Sequence, residues 1–334
     1  MGVLMSQDLR LNTNNLTIII LSALLIGGIF GGLITFSLTP DQGQDFDLPP
    51  KDVFTMGFIP ENAEDVDTVT TNAQALTAFL QDKLGIPVEI YPVTNGYENL
   101  ILALQNNQVD AAFLDGTPAS LVVESGNAEV VMAEIRSANN ATFYNAAAWV
   151  RANSTIDSLS TMLNGNYISS HTSATGTAGT VMPLGTLIDE GFIETQANDD
   201  TESVCARYFS NSIFGGSYGG ALLRVLDGEA DVAFVRDTTP MDLFPERQDE
   251  LRMLHVFGSV PSHPLVVNTD LADGWKYKFV NAMLELNNPE NIEILKNLYG
   301  ANGLVGANNL HIQDVSDAVK SLPWLEETIL ADRG

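Results

Sequence analysis

Two tyrosines hold matching places in this chain, and a loop of hydroxyls and glycines lies between them. Tyr97 opens the run Tyr97-Glu98-Asn99-Leu100-Ile101-Leu102-Ala103-Leu104, which leads to Asp110-Ala111-Ala112-Phe113. Tyr218 opens Tyr218-Gly219-Gly220-Ala221-Leu222-Leu223-Arg224-Val225, which leads to Asp231-Val232-Ala233-Phe234, with Tyr, Leu, Asp, Ala and Phe at the same offsets 121 residues on. The loop Ser169–Thr180 reads SSHTSATGTAGT. Phenols, Ser and Thr hydroxyls and the amides beside small residues are neutral donors, and such a set can hold an anion with no formal cation. If the loop opens a helix, the helix dipole adds about 0.3–1 kcal/mol for a negative charge. The same composition also suits a plain surface loop.

Two further segments follow the repeats. Asp115-Gly116-Thr117-Pro118 closes the first, and Arg236-Asp237-Thr238-Thr239-Pro240 closes the second. Ligands collect at strand C-termini in parallel sheets, so Asp115, Thr117 and Asp237 are candidate contacts. Asp237 is placed to accept the proton of a protonated oxyanion. Against this, Thr117 also reads as an N-cap before Pro118, and Asp237 as a cap or a surface partner of Arg236.

Other chemistries find little support. No Gly-Lys-Ser/Thr follows the glycines, so the loop is no Walker motif. His171, His255, His263 and His311 are scattered without metal-ligand spacing, and the lone Cys205 permits no intramolecular disulfide. No nucleophile elbow is present. The sequence therefore assigns no catalytic residue, metal or cofactor. Trp149, Trp275 and Trp324 read as core or hinge packing, and Asn140 and Asn153 open glycosylation-type sequons.

The elements that must position these residues are read from periodicity. Each repeat is an amphipathic helix, a polar turn and a short apolar strand, so each Tyr falls in a first helical turn. Around them the chain alternates: strand 53–59, helix 66–84, strand 88–92, helix 117–124, strand 129–135 and a long extended stretch 143–150. A second series follows, with helix 156–163, strand 167–170, helix 181–190, a strand at 206–209 and strand 253–257. A strand at 265–267 precedes helices at 271–286, 292–298 and 312–321. The expectation is an α/β chain of parallel sheets covered by helices. Interruptions near 149–154 and 258–264 bracket the second series, as two crossings between lobes would. One lobe is then 52–149 with 263–334, and the other is 150–262.

Composition sets the outer limits. The 334 residues allow two domains with real cores, and 45% are hydrophobic. Residues 16–38 form a 23-residue uncharged run, long enough to span a bilayer. Arg10 before it and Asp41, Asp45 and Asp47 after it favour residues 1–15 in the cytoplasm and the rest outside. A cleaved signal is the alternative, although the run exceeds a normal signal core and no A-x-A site follows. Residues 39–51, with three prolines and several acids, read as a linker. The net charge of −27 excludes nucleic acid as a partner, since no basic stripe is present to neutralise phosphates.

At this point the residues match a known family. Met56–Pro60, Leu76–Gly85 and Val88–Pro92 resemble the opening of periplasmic phosphate-, phosphite- and phosphonate-binding proteins of ABC transporters (PhnD-like). The resemblance runs in order through Gly96-Tyr97, Asp110–Leu114, the Gly/Thr loop with Pro183, Gly216–Tyr218 and Pro261–Val267, covering nearly all of 52–325. It implies the type II binding-protein fold, two α/β lobes joined by two hinge crossings, here preceded by the N-terminal membrane helix. It also implies that Tyr97 and the Thr175–Gly179 turn contact a PO₃ group, with Tyr218 in the cleft. The family's usual Ser-Thr-Ser-Gly turn reads Gly176-Thr177-Ala178-Gly179 here, two hydroxyls fewer, and Thr175 or Thr180 is a substitute for one. Where many relatives carry His-Glu at the second repeat, this chain has Tyr218-Gly219, which removes an acid that would pair with an amino group.

The resulting expectation is a membrane-tethered extracytoplasmic receptor for phosphonate, phosphite or phosphate that delivers it to an ABC permease and its ATPase. It binds through neutral hydrogen bonds of about 0.5–1.5 kcal/mol each. A tethered sensor or scaffold of the same fold, or a receptor for another small organic solute, are the alternatives.

Overall fold

Apolar residues of the helix Val66–Leu84 recur as Val69, Ala73, Leu76, Leu80 and Leu84, and all five are buried. Asp67 stands in its first turn, Lys83 in its last, and Gly85 follows at φ +72°, so both ends are chemically marked. Removing the Leu76 and Leu80 side chains from water contributes roughly 1.5–3 kcal/mol each. The same logic repeats along a computed structural model that describes residues 48–59, 66–94 and 96–331. The apolar run 16–38, expected to be a membrane anchor, lies outside the described residues, as does most of the linker. No helix among the described residues is long and apolar enough to cross a membrane.

The strands are β1 (Phe54–Gly57), β2 (Val88–Ile90), β3 (Ala111–Phe113), β4 (Ala128–Arg136), β5 (Phe143–Arg151), β6 (Ile168–His171), β7 (Asn211–Phe214), β8 (Val232–Arg236), β9 (Leu251–Pro261), β10 (Leu265–Asn268) and β11 (Ala301–Gly306). The helices are α1 (Val66–Leu84), α2 (Glu98–Gln105), α3 (Gly116–Glu124), α4 (Leu159–Asn164), α5 (Met182–Asp189), α6 (Thr201–Tyr208), α7 (Tyr218–Leu226), α8 (Thr239–Leu243), α9 (Asp273–Leu284), α10 (Ile292–Tyr299), α11 (Gln313–Lys320) and α12 (Leu325–Ala331).

Two sheets form two lobes. The first has the order β11-β4-β10-β3-β1-β2, the second β7-β6-β8-β5-β9. Each contains a parallel trio of the same pattern, β2-β1-β3 and β7-β6-β8. The repeated units α2–β3 and α7–β8 occupy equivalent places in these trios. Neither sheet is purely parallel, however, since β10 runs antiparallel to β3 and β4, and β5 antiparallel to β8 and β9.

Two segments depart from the sequence reading. The extended stretch 143–150 belongs to the second sheet, because β5 pairs with β9 from Phe143 to Arg151. The first crossing therefore lies at 137–142, ahead of β5, while the second lies at 262–264 between β9 and β10. The strand expected at 206–209 is instead the end of α6. A reciprocal cap starts that helix, with Ser203 N–H donating to Asp200 and Asp200 N–H to Ser203 Oγ, and the strand follows at Asn211–Phe214.

One apolar cluster lies under the first sheet, where Phe54 stacks on Phe279 at 5.0 Å. A second spans both lobes, joining Leu100 and Leu104 of α2 to Val181, Phe234 and Val315. The helix α11 packs against α3 of the first lobe and α5 of the second. Its Ala318 abuts Gly185, where any side chain would collide with the α11 backbone, and Ser316 receives a hydrogen bond from Ser120 at 3.2 Å.

Candidate functional site

A cleft of about 330 Å³ opens where strand ends of the two sheets face each other. Its wall takes Tyr97 and Asp115 from the first repeat, Tyr218 and Arg236 from the second, Arg136 and Tyr144 from β4 and β5, Thr172, Ser173, Gly176 and Thr177 from the loop, Pro261 from the end of β9 and His263 from the second crossing.

The loop is built to approach closely. Gly176 in extended conformation leads into a π-helical turn, Thr177–Val181, continued by α5 from Met182. Wide turns of this kind are frequent at functional sites. No side chain caps its start, and Thr180 and Val181 N–H both donate to Gly176 O, so the amides of Thr177, Ala178 and Gly179 stand at an open helix N-terminus. A Cβ on Gly176 or on Gly179 would run into Thr172 Oγ1. Thr180 does not replace a ligand hydroxyl, because its Oγ1 donates to Ser173 O at 2.6 Å.

His171 holds this turn from below. It is fully buried, with Nδ1 3.0 Å from Gly179 O and Nε2 3.0 Å from Ser169 Oγ. The Gly179 carbonyl only accepts, so Nδ1 carries the proton and Nε2 accepts from Ser169. The ring stacks on Phe234 at 4.9 Å, and burial pushes its pKa down to about 4.

The paired tyrosines find different partners. Tyr97 is the residue before α2, and its phenol donates to Asp115 Oδ2 at 2.6 Å. Burial first, then the Asp115 carboxylate, raises that phenol well above its ordinary pKa. Asp115 precedes α3 but its side chain caps nothing there. Its other oxygen lies 3.6 Å from His263 Nε2, and His263 Nδ1 in turn lies 2.8 Å from Glu134, a carboxylate 2% exposed. Tyr218 opens α7 behind Ser217, whose Oγ accepts from Gly220 N–H, and its phenol lies 3.3 Å from that of Tyr144. Tyr144 is likewise raised well above the ordinary phenol range, by burial first and then by Tyr218 and Asp115. The Tyr97 and Tyr144 phenols therefore keep their protons at neutral pH.

Of the nine residues picked from sequence, Tyr97, Asp115, Gly176, Thr177 and Tyr218 come together on the cleft wall. Thr117 is fully buried behind it, inside α3 rather than at its cap, with its hydroxyl 2.8 Å from that of Thr177. Thr175 and the buried Ala178 are not among the lining residues. Asp237 is also apart, since its carboxylate accepts from Asn145 N–H at 3.1 Å and from Asn145 Nδ2 at 2.7 Å, fastening β5 to the end of β8. The expectation of a wall without formal cations is corrected: Arg136 and Arg236 both line it. Arg236 carried the one signal available, its place directly after the second repeat strand. Arg136, Tyr144 and His263 carried none, being strand-end residues near the crossings. No group of three or more His, Cys, Asp or Glu among the described residues is placed to hold a metal ion. The cleft offers hydrogen-bond donors to an anion.

Comparison with known proteins gives a consistent picture. The family model described as ABC transporter, phosphonate, periplasmic substrate-binding protein matches residues 56–311. The Xanthomonas citri protein XAC2383, solved with chloride, shares the fold at a TM-score of 0.67 and 18% identity, over 84% of this chain and 100% of that one. PhnD1 from Prochlorococcus marinus, solved with methylphosphonate, gives a TM-score of 0.60 and 16% identity over 81% and 98%. A binding-protein component of an ABC phosphonate transporter from Pseudomonas aeruginosa gives 0.57 and 18% over 85% and 91%. Gallus gallus ovotransferrin is 30% identical over 199 residues, 49% of this chain. The chain spans about a quarter of that curated relative's length, 27%.

Proposed function

The chain belongs to the periplasmic substrate-binding proteins of phosphonate ABC transporters, a family of binding proteins rather than enzymes, and from this we propose that its cleft captures a small phosphonate-type oxyanion. The protein works outside the cytoplasm and presents the loaded cleft to an ABC permease driven by its ATPase. The observation that carries this reading is the uncapped turn Thr177–Val181, whose first residue lines the cleft together with Gly176 and Tyr97. An uncapped helix start suits an oxyanion such as a PO₃ group, since its first N–H groups have no partner within the helix.

The remaining parts have distinct tasks. Thr172, Ser173 and Ser217 supply hydroxyls, and Tyr97 and Tyr218 close the wall from opposite lobes. Arg136 and Arg236 add positive charge in a protein of net charge −27. Closure of the lobes excludes water, which strengthens every one of these bonds. Lobe boundaries at 52–149 with 263–334 and at 150–262 were the sequence expectation. The pairing of β5 supports moving the first boundary to 137–142. A membrane anchor at 16–38 fits a receptor held near its permease.

The test is calorimetric titration of the purified protein, stripped of carried-over ligand, with phosphate, phosphite, methylphosphonate and 2-aminoethylphosphonate. Micromolar or tighter binding of one of them supports the reading. Failure of all four to bind, while the protein remains folded by circular dichroism, overturns it.

A further inference from the structure

A cluster of arginines and tyrosines is the least expected part of the cleft wall. Arg236 lies over the ring of Tyr218 at 4.5 Å and over that of Tyr144 at 5.6 Å, while Arg136 lies over Tyr144 at 4.9 Å. Two guanidinium groups thus share one aromatic ring in a partly buried wall. Like charges so placed repel one another, and a protein with 42 acidic residues has ample means to neutralise them. It does not. Neither arginine has a carboxylate within 4.0 Å among the described residues. The cleft's own acid, Asp115, is engaged with Tyr97 and His263, and Asp237, next in sequence to Arg236, is engaged with Asn145. Arg236 Nε is buried and makes no hydrogen bond.

Volume points the same way. A cleft of about 330 Å³ lies within the range of small-molecule sites, about 300–1,000 Å³. Methylphosphonate has five heavy atoms. On the reading above the turn and Tyr97 take one PO₃ group, and both arginines line the same cleft. Stacked on tyrosine faces, a guanidinium keeps its donor edge free for a planar carboxylate or a phosphoryl group.

Building on the phosphonate reading of the same cleft, we propose that Arg136 and Arg236, braced by Tyr144 and Tyr218, form a second anion subsite, so that the ligand is a phosphonate bearing a carboxylate. The subsite disfavours aminoalkylphosphonates, whose ammonium group would face two arginines.

The experiment is competitive calorimetry of the full chain with methylphosphonate, phosphonoacetate and 2-aminoethylphosphonate, repeated on Arg136→Gln and Arg236→Gln. The expected result is phosphonoacetate binding at least tenfold tighter than methylphosphonate, with 2-aminoethylphosphonate weakest. In either variant the ratio of phosphonoacetate to methylphosphonate affinity falls toward one. A purely structural role for the arginines would weaken both ligands together and keep the ratio. Methylphosphonate binding with no preference for phosphonoacetate, or a ratio untouched by both variants, overturns the subsite while leaving the phosphonate reading intact. Absence of binding by any phosphonate overturns that reading itself.

Discussion

The hydroxyl oxygens of Thr117 and Thr177 stand 2.8 Å apart, although one belongs to the first lobe and the other to the second. Thr117 N–H donates to the same Thr177 oxygen at 3.1 Å, so a single side chain takes two bonds across the cleft. In the described conformation this pair ties the two lobes together and is placed to act as a latch on their closure. The resemblance-based assignment of Thr177 to the ligand captures only half of its setting.

Thr117→Val removes the hydroxyl while adding no bulk, at a position that is itself outside the cleft wall and reaches it through Thr177. With a net value of about 0.5–1.5 kcal/mol for the lost bond, ligand affinity should fall roughly two- to tenfold. Small-angle scattering with saturating ligand should show a more open average shape than wild type. Identical scattering curves would mean that the latch does not govern closure.

Tyr97→Phe leaves the Asp115 carboxylate facing the cleft without the phenol proton that now occupies Oδ2. An unshielded carboxylate repels an oxyanion, so calorimetry should show affinity reduced by roughly ten- to a hundredfold. The loss should be larger for a dianionic than for a monoanionic ligand form.

Glu134 accepts from Ser262 Oγ at 3.2 Å and faces His263 Nδ1 at 2.8 Å, all in a buried corner. Glu134→Ala strands those donors. Chemical denaturation should register a stability loss of about 2–4 kcal/mol, since each buried unsatisfied group costs about 1–3 kcal/mol. Because His263 lines the cleft, binding should weaken as well. Full stability in the variant would show that solvent replaces the carboxylate.

His171 makes stability depend on pH. The unfolded chain takes up a proton near 6.5, whereas the folded chain takes it up only near 4. Unfolding therefore binds a proton between these values, and stability falls as pH drops through that window. The total is about 3 kcal/mol by pH 4, and the effect vanishes above about pH 7. Urea midpoints from pH 7.5 down to 4 should show this slope in wild type and a shallower one in His171→Gln. Equal slopes would place the titration elsewhere.

Periodicity carried most of the architecture. α1 and both repeated helix–strand units were legible because apolar side chains recur at 3.6 and then run continuously, which no loop does. The sequence placed Ala206–Phe209 in a strand since its alternation mimics one, and the capping pair Asp200–Ser203 upstream was the signal that overruled it. Tyr97, Thr177 and Tyr218 were visible because they sit in turns with marked composition. Arg136 and Tyr144 were not, because each owes its place to strand pairing across more than a hundred residues, such as Tyr144 beside Val260, and His263 was not because it sits in the short crossing between β9 and β10. Asp237 shows the converse: its position after a strand suited a ligand contact, yet Asn145 sits close enough to claim it.

The seating of α11 has a mechanical consequence. A helix wedged between α3 and α5 cannot keep both contacts when the lobes rotate apart, and the crowding of Ala318 against Gly185 leaves no slack for sliding. Its backbone amides therefore act as a gauge of aperture. They are guarded while the jaws are shut and traded with solvent each time the jaws part, at a distance from the bound molecule itself.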